Sequence, residues 1–390
     1  MSCYISSNNN RLYVGLEQAY GLAANFTESG RIPAVDIKLS QQTEQPLRRD
    51  KTGSRTFPGL PGGFRRMTSF ELTTLLMEWT SPGQEPAYGP LFQSALGGSP
   101  RFFAGATVES APDAGNITFT SDHNLVADQA FTYGGDLRFV RSIPDTRSVI
   151  INAPLSRTPS AGDQAGPAVT YFPATMPPSV SILDAWDPGG AIQRVVAGAA
   201  VDQLRIRING DFHQFEFLGI GSDVLDSSTF QAGQGGLQAF PVEPLSQNWN
   251  YSIVPGNLGQ AWLGLTPSRI YSILEAEVVL DNAIEARHRE FGSSIPLCVT
   301  GGTRRVTADF TLYSSVQPEI LSLYDASRYR MPISVMLQMG QLPGQLCGIQ
   351  MKSVIPEFPA FQSDEDKLRW EFRNCRAQGT ADDEIIIAFG

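Results

Sequence analysis

The feature that most constrains this chain is a motif that occurs twice. Gly62-Gly63-Phe64-Arg65-Arg66-Met67-Thr68 returns as Gly301-Gly302-Thr303-Arg304-Arg305-Val306-Thr307. Chance can place one such pair in 390 residues, but it is much less able to set the pair between matching flanks in the same order. Upstream, Val35-Asp36-Ile37-Lys38-Leu39 is matched by Ala276-Glu277-Val278-Val279-Leu280. The charged run Arg48-Arg49-Asp50-Lys51-Thr52-Gly53-Ser54 is matched by Arg287-His288-Arg289-Glu290-Phe291-Gly292-Ser293. Downstream, each copy continues as a strand pattern and then a short Pro-led helix, Pro90 to Leu96 and Pro318 to Tyr324. A closing hairpin over Gln203 to Phe217 has its counterpart in Gln350 to Phe372. The chain therefore reads as two related domains in tandem, which its length can supply with separate cores.

Periodicity makes those domains all-β with short flanking helices. Val35, Ile37 and Leu39 alternate with polar residues, and Arg65 to Leu76 reads as a long strand. The strongest hairpin alternates Leu204, Ile206 and Ile208 against Arg205 and Arg207. Asn209-Gly210 is expected to supply a tight left-handed turn, and His213, Phe215 and Phe217 then share a face of the return strand. Residues 99–178 differ in texture, with short β-like runs between Gly, Pro, Asp and Ser, and predict a small β insertion. The expected organisation is an N-terminal arm over 1–32, with a short helix within Leu12 to Ala24. A first β-sandwich or half-barrel domain follows over 33–98 with 179–250, then a linker over 251–264 and a second such domain over 265–390.

The residues point away from catalysis. Cys3, Cys298, Cys347 and Cys375 form no CxxC pair, and His123, His213 and His288 lie far apart, so neither a metal site nor a disulfide framework is expected. No glycine loop is followed by Gly-Lys-Ser or Gly-Lys-Thr to cradle phosphate, and no cofactor is expected. Asp211 with His213 lacks further ligands, and the acidic runs Asp364-Glu365-Asp366 and Asp382-Asp383-Glu384 lack calcium-loop spacing. The acidic residues single out no glycosidase pair. The N-terminus carries neither the basic leader nor the apolar run of a secretion signal, and no stretch has the roughly 18 to 20 apolar residues of a membrane span. A net charge of −10 argues against broad adhesion to nucleic acid. Arg48, Arg49, Arg65 and Arg66, with Arg287, Arg289, Arg304 and Arg305, lie near acidic residues in both copies. They read as intersubunit or interdomain salt-bridge partners, and Gly62, Gly63, Gly301 and Gly302 read as structural turns.

The order of short motifs along nearly the whole chain resembles the tail tube proteins of long-tailed bacteriophages, of siphovirus type. The likeness is carried by Arg31-Ile32-Pro33-Ala34-Val35 through Gly53-Ser54-Arg55-Thr56-Phe57, by Gly59-Leu60-Pro61-Gly62-Gly63 and by Tyr88-Gly89-Pro90-Leu91-Phe92. Gly198-Ala199-Ala200-Val201-Asp202 leading to Asn209-Gly210-Asp211-Phe212-His213 adds to it. It is closest to the variant with two tube domains per subunit. The resemblance implies homotrimeric, pseudo-hexameric rings whose inner sheets join into a β-barrel, stacked in a virion tail assembled in the host cytoplasm. It implies an acidic channel that DNA passes without specific binding during genome ejection, and tail-terminator, tape-measure and distal tail proteins as partners. It implies no catalytic residues. The other reading is a β-rich carbohydrate- or surface-binding virion protein, with an exposed aromatic patch from Trp186, Trp249 and Trp262 on a compact oligomer.

Overall fold

A computed structural model describes residues 4–44, 51–56, 59, 64–79, 81–244, 252–364 and 366–390. The chain is all-β: of the described residues 48% lie in strands, and they form two α-helices, Gly89–Leu96 (α1) and Pro318–Tyr329 (α2). Each helix has proline in its first turn, where its missing N–H costs nothing, and each ends on a left-handed residue, Gly97 or Arg330. Nineteen strands join into one hydrogen-bonded system.

Its front layer is a single antiparallel run of eight strands. In spatial order these are Ala34–Glu44, Arg65–Leu75, Gln214–Gly221, Arg194–Ile208, Ile273–Asp281, Arg305–Tyr313, Lys367–Ala377 and Ala360–Asp364. The second four repeat the first four. Leu72 pairs with both Ile37 and Phe217, and Phe310 pairs with both Ala276 and Phe372. The leading strand of each half is bulged at the same station, beside Ala34/Asp36 and Ile273/Glu275.

Behind this layer the correspondence continues. Asn10–Leu16 pairs with Val180–Trp186 as Gly259–Gly264 pairs with Ile333–Met339, and Asp223–Asp226 joins Arg194–Ile208 as Ile386–Phe389 joins Cys347–Ile355. Two expectations are corrected here. Leu12 to Ala24 holds no helix, because its first part is a strand whose Leu12, Tyr13 and Val14 are buried. Likewise the stretch read as a linker, 251–264, contains a strand of the second half.

The motif alignment is also shifted. Hydrogen-bond register sets Thr68 level with Val306, not Thr307, because Thr68, Phe70, Leu72 and Thr74 face inward as do Val306, Ala308, Phe310 and Leu312. A slip of one residue would turn every side chain to the wrong face. Arg66 is therefore the counterpart of Arg304, and Ile37 and Leu39 are the counterparts of Ala276 and Val278.

One hydrophobic core serves both halves. Phe92 of α1 packs edge-on against Phe215 and Phe217 of the first half and Phe389 of the second. Residues 330–332 carry the chain from α2 to Ile333–Met339, whereas residues 97–179 lie between α1 and Val180–Trp186. Within 97–179, a six-stranded sheet has its own core around Phe119, Phe131 and Val140. The same stretch lends Arg101–Phe103 and Ala168–Tyr171 to the large system. Arg138 locks this sheet to the second half. Its guanidinium is fully buried, donates to Gln338 at 2.9 Å and Gln260 at 2.8 Å, pairs with Asp136 at 3.2 Å and lies over the Trp262 ring. Burial pushes its pKa down to about 10.

Candidate functional site: the open face and the edges of the front layer

Strand alternation gives the front layer two unlike faces. Phe70, Leu72, Phe215, Phe217, Leu204, Ile206, Val278, Leu280, Ala308, Phe310 and Phe372 point to the core. The opposite face carries a lattice of ion pairs. Arg205 contacts Glu277 at 2.9 Å and Glu216 at 3.2 Å, and Arg207 reaches the same two carboxylates at 3.5 Å. Lys38 donates to Glu71 at 2.9 Å, which raises the lysine's pKa, and Arg373 lies between Glu371 and Asp309.

An acidic wall is not what this face presents. Among the described residues, the carboxylates of Asp36, Glu44, Glu71, Glu216, Glu275, Glu277, Asp281, Asp309 and Glu371 are matched by Lys38, Arg65, Arg205, Arg207, Arg305, Lys367, Arg369, Arg373 and Arg376. The surface is charged but locally neutralised, so its field falls off within a Debye length of about 8 Å in physiological salt.

The two halves meet by strand pairing. Gln203 to Ile208 runs against Asp281 to Ala276, and Ile206 and Val278, directly opposite each other, are both buried. The loop after Ile273–Asp281 then folds back over the first half: Arg66 donates its backbone N–H to Ser294 O at 2.8 Å, and Ser222 Oγ donates to Pro296 O at 2.9 Å. At the two ends of the layer, Ala34–Glu44 and Ala360–Asp364 each have one strand neighbour among the described residues.

The predicted positions scatter around this junction. Arg48, Arg49, Gly62 and Gly63 lie outside the described residues, as do Cys3, Trp249 and Glu365. Arg65 donates to Arg289 O at 3.1 Å, and the Arg289 side chain is exposed. Arg66 approaches Asp223 at 3.4 Å. Arg287 pairs with Glu290 three residues on, and Arg305 is exposed. Arg304 is the best-connected of the set: it contacts Glu384 at 2.9 Å and Asp382 at 3.1 Å, and donates to Ala174 O beside the C-terminus of α1.

Neither Gly301 nor Gly302 has positive φ; Gly302 matters because a Cβ there would sit 2.9 Å from Ala283 O. Asn209 and Gly210 do not make the expected left-handed turn either. The hairpin closes at Arg207 and Gln214 with a longer loop, in which Asn209 Oδ1 accepts from the N–H groups of Asp211 and Phe212.

Among the described residues no three His, Cys, Asp or Glu side chains converge on a point a metal could occupy, and no helix is long and apolar enough to cross a membrane. Trp262 is buried beneath Arg138, and Trp186 is partly buried, so the described tryptophans form no exposed patch. No protein-family model matches the chain, and no curated protein resembles it closely enough to count as a match.

Proposed function

We propose that the chain is a structural, non-enzymatic subunit of a bacteriophage tail tube. Three copies form a pseudo-hexameric ring, and rings stack around a channel for genome delivery. One observation carries the reading: two four-stranded units of like topology are already joined edge to edge by strand pairing, and the outer edges of the pair are the same two kinds of edge. Repeating that junction between chains is a head-to-tail contact, which closes into a ring when the rotation per step divides a full turn. Closure also removes the unpaired edges that would otherwise template aggregation.

The open face would line the lumen. A hydrated wall of mutually paired charges offers DNA phosphates no strong basic track, so the polymer passes without specific binding. On this reading the chain resides in the virion tail after assembly in the host cytoplasm. Tail-terminator, tape-measure and distal tail proteins meet the ends or the lumen of the tube. Electron microscopy of the purified protein at rising concentration tests it. Stacked rings with an open centre are expected; discrete particles without a lumen at every concentration would sink it.

A further inference from the structure

We infer that the outer edge of Ala360–Asp364 receives strand Ala34–Glu44 of a second copy of this chain in one register, with Phe361 directly opposite Leu39. The inference rests on the tube reading and adds the contact that would close the ring. The register follows from the junction within the chain. Ile206 stands opposite Phe215, which stands opposite Thr74; Phe361 stands opposite Trp370, which stands opposite Leu312. Thr74 and Leu312 are register equivalents, so Phe361 occupies the station of Ile206. On the other edge, Leu39 opposite Phe70 occupies the station of Val278 opposite Ala308. Ile206 and Val278 face each other inside the chain, and the same step brings Phe361 to Leu39 of the next copy.

Exposure agrees with a missing neighbour. Ile206 is 1% exposed, whereas Phe361 is 50% exposed although it points to the same side of the sheet. Phe358 is equally bare and lies 6.2 Å from Phe361 between ring centroids, and Tyr324 of α2 touches both. An apolar margin on an open strand edge is a liability unless something covers it. The polar side is mixed. The register sets Gln362 opposite Lys38 and Ala360 opposite Ser40, and at the end of the strand it sets Asp364 opposite Asp36, a like-charge pair with Lys38 beside Asp36 and Lys367 opposite Asp364 in its own sheet.

The test mixes two variants that each add one cysteine, Gln362→Cys and Lys38→Cys, in a background with Cys3 and Cys298 replaced by serine, under a mild thiol oxidant such as diamide, with Ser40→Cys replacing Lys38→Cys as the register-shifted control. A disulfide-linked dimer that needs both partners is expected, at least tenfold more abundant for 362–38 than for 362–40. In parallel, Phe361→Asp should leave circular dichroism and Tm near wild type, because the side chain is half exposed, while abolishing ring formation. If wild-type rings form but the 362–40 pair links as well or better, or Phe361→Asp still assembles, the register is wrong and the tube reading stands. If the wild-type chain never assembles, the tube reading fails and the register falls with it.

Discussion

Glu17 shows how much of this fold is decided by single side chains placed from far away in sequence. Its carboxylate is buried and accepts four hydrogen bonds, from Gly21 N, Ser179 Oγ, Ser181 Oγ and Gly198 N, all between 2.6 and 2.9 Å. Those donors tie the strand Asn10–Leu16 to Val180–Trp186 and to the bend at Gly198. Removing the acceptor strands four polar groups away from water, so Glu17→Ala should cost about 3 kcal/mol in urea unfolding. A loss under 1 kcal/mol would show that the network is dispensable.

His213 offers a different residue-scale test. Its ring is buried with Nδ1 unpartnered, and desolvation holds its pKa below the ordinary 6.5. The unfolded chain therefore takes up a proton before the folded one does. His213 draws stability down as pH falls below about 6.5 towards the depressed folded value, and contributes no slope above it. Replacing it with Gln should flatten the stability profile across that window, as read by denaturant midpoints. An unchanged slope would mean the ring titrates normally. Sequence signalled neither residue: Glu17 looks like any surface glutamate until Ser179, Ser181 and Gly198 close over it, and His213 shows only that it shares a face with two phenylalanines.

Among the elements, alternation decides which substitutions matter. Leu280 and Val279 are neighbours on the strand that joins the two halves, yet Leu280 is buried in the shared core and Val279 lies on the open face. Leu280→Ala should cost about 3 kcal/mol, and Val279→Thr less than about 1. Similar costs at both sites would contradict the facing assigned here.

Alternation is also what made most elements readable in advance. The strands near Val35, Arg65 and Leu204 and the two Pro-led helices carry their own periodicity and punctuation. The stretch from Leu12 to Ala24 does not, because an edge-to-edge partner 170 or so residues away, not local propensity, makes it a strand. The repeated motif lies one residue out of structural register for a related reason. Letters match best in phase with the leading strand, whereas the second strand of each pair is set by hydrogen bonds, and the loop between them is one residue shorter in the second copy. The hairpin loop at Asn209 is longer than Asn-Gly predicts because Phe212 bridges to Pro255, a partner with no local sign in the sequence.

For the whole molecule, the internal junction is the structural fact from which the proposed assembly grows. One chain carries two like units, a shared core and two outer edges, so the divergence between the units can be used: residues 97–179 are inserted in the first half and pack onto the second, which has only residues 330–332 at the matching place. What the sequence could not supply was the face that would line a channel, since that depends on which residues pair across strands distant in the chain. The fold makes that surface by bringing Arg205, Arg207, Glu216, Glu277 and Lys38 to one side.

The most direct measurement is the native mass of the smallest closed particle the purified chain forms. A three-chain ring is expected, with three times the mass of the 42.4 kDa chain and six similar wall segments in class averages. A stable monomer at all concentrations, or a closed ring of six chains, would contradict it.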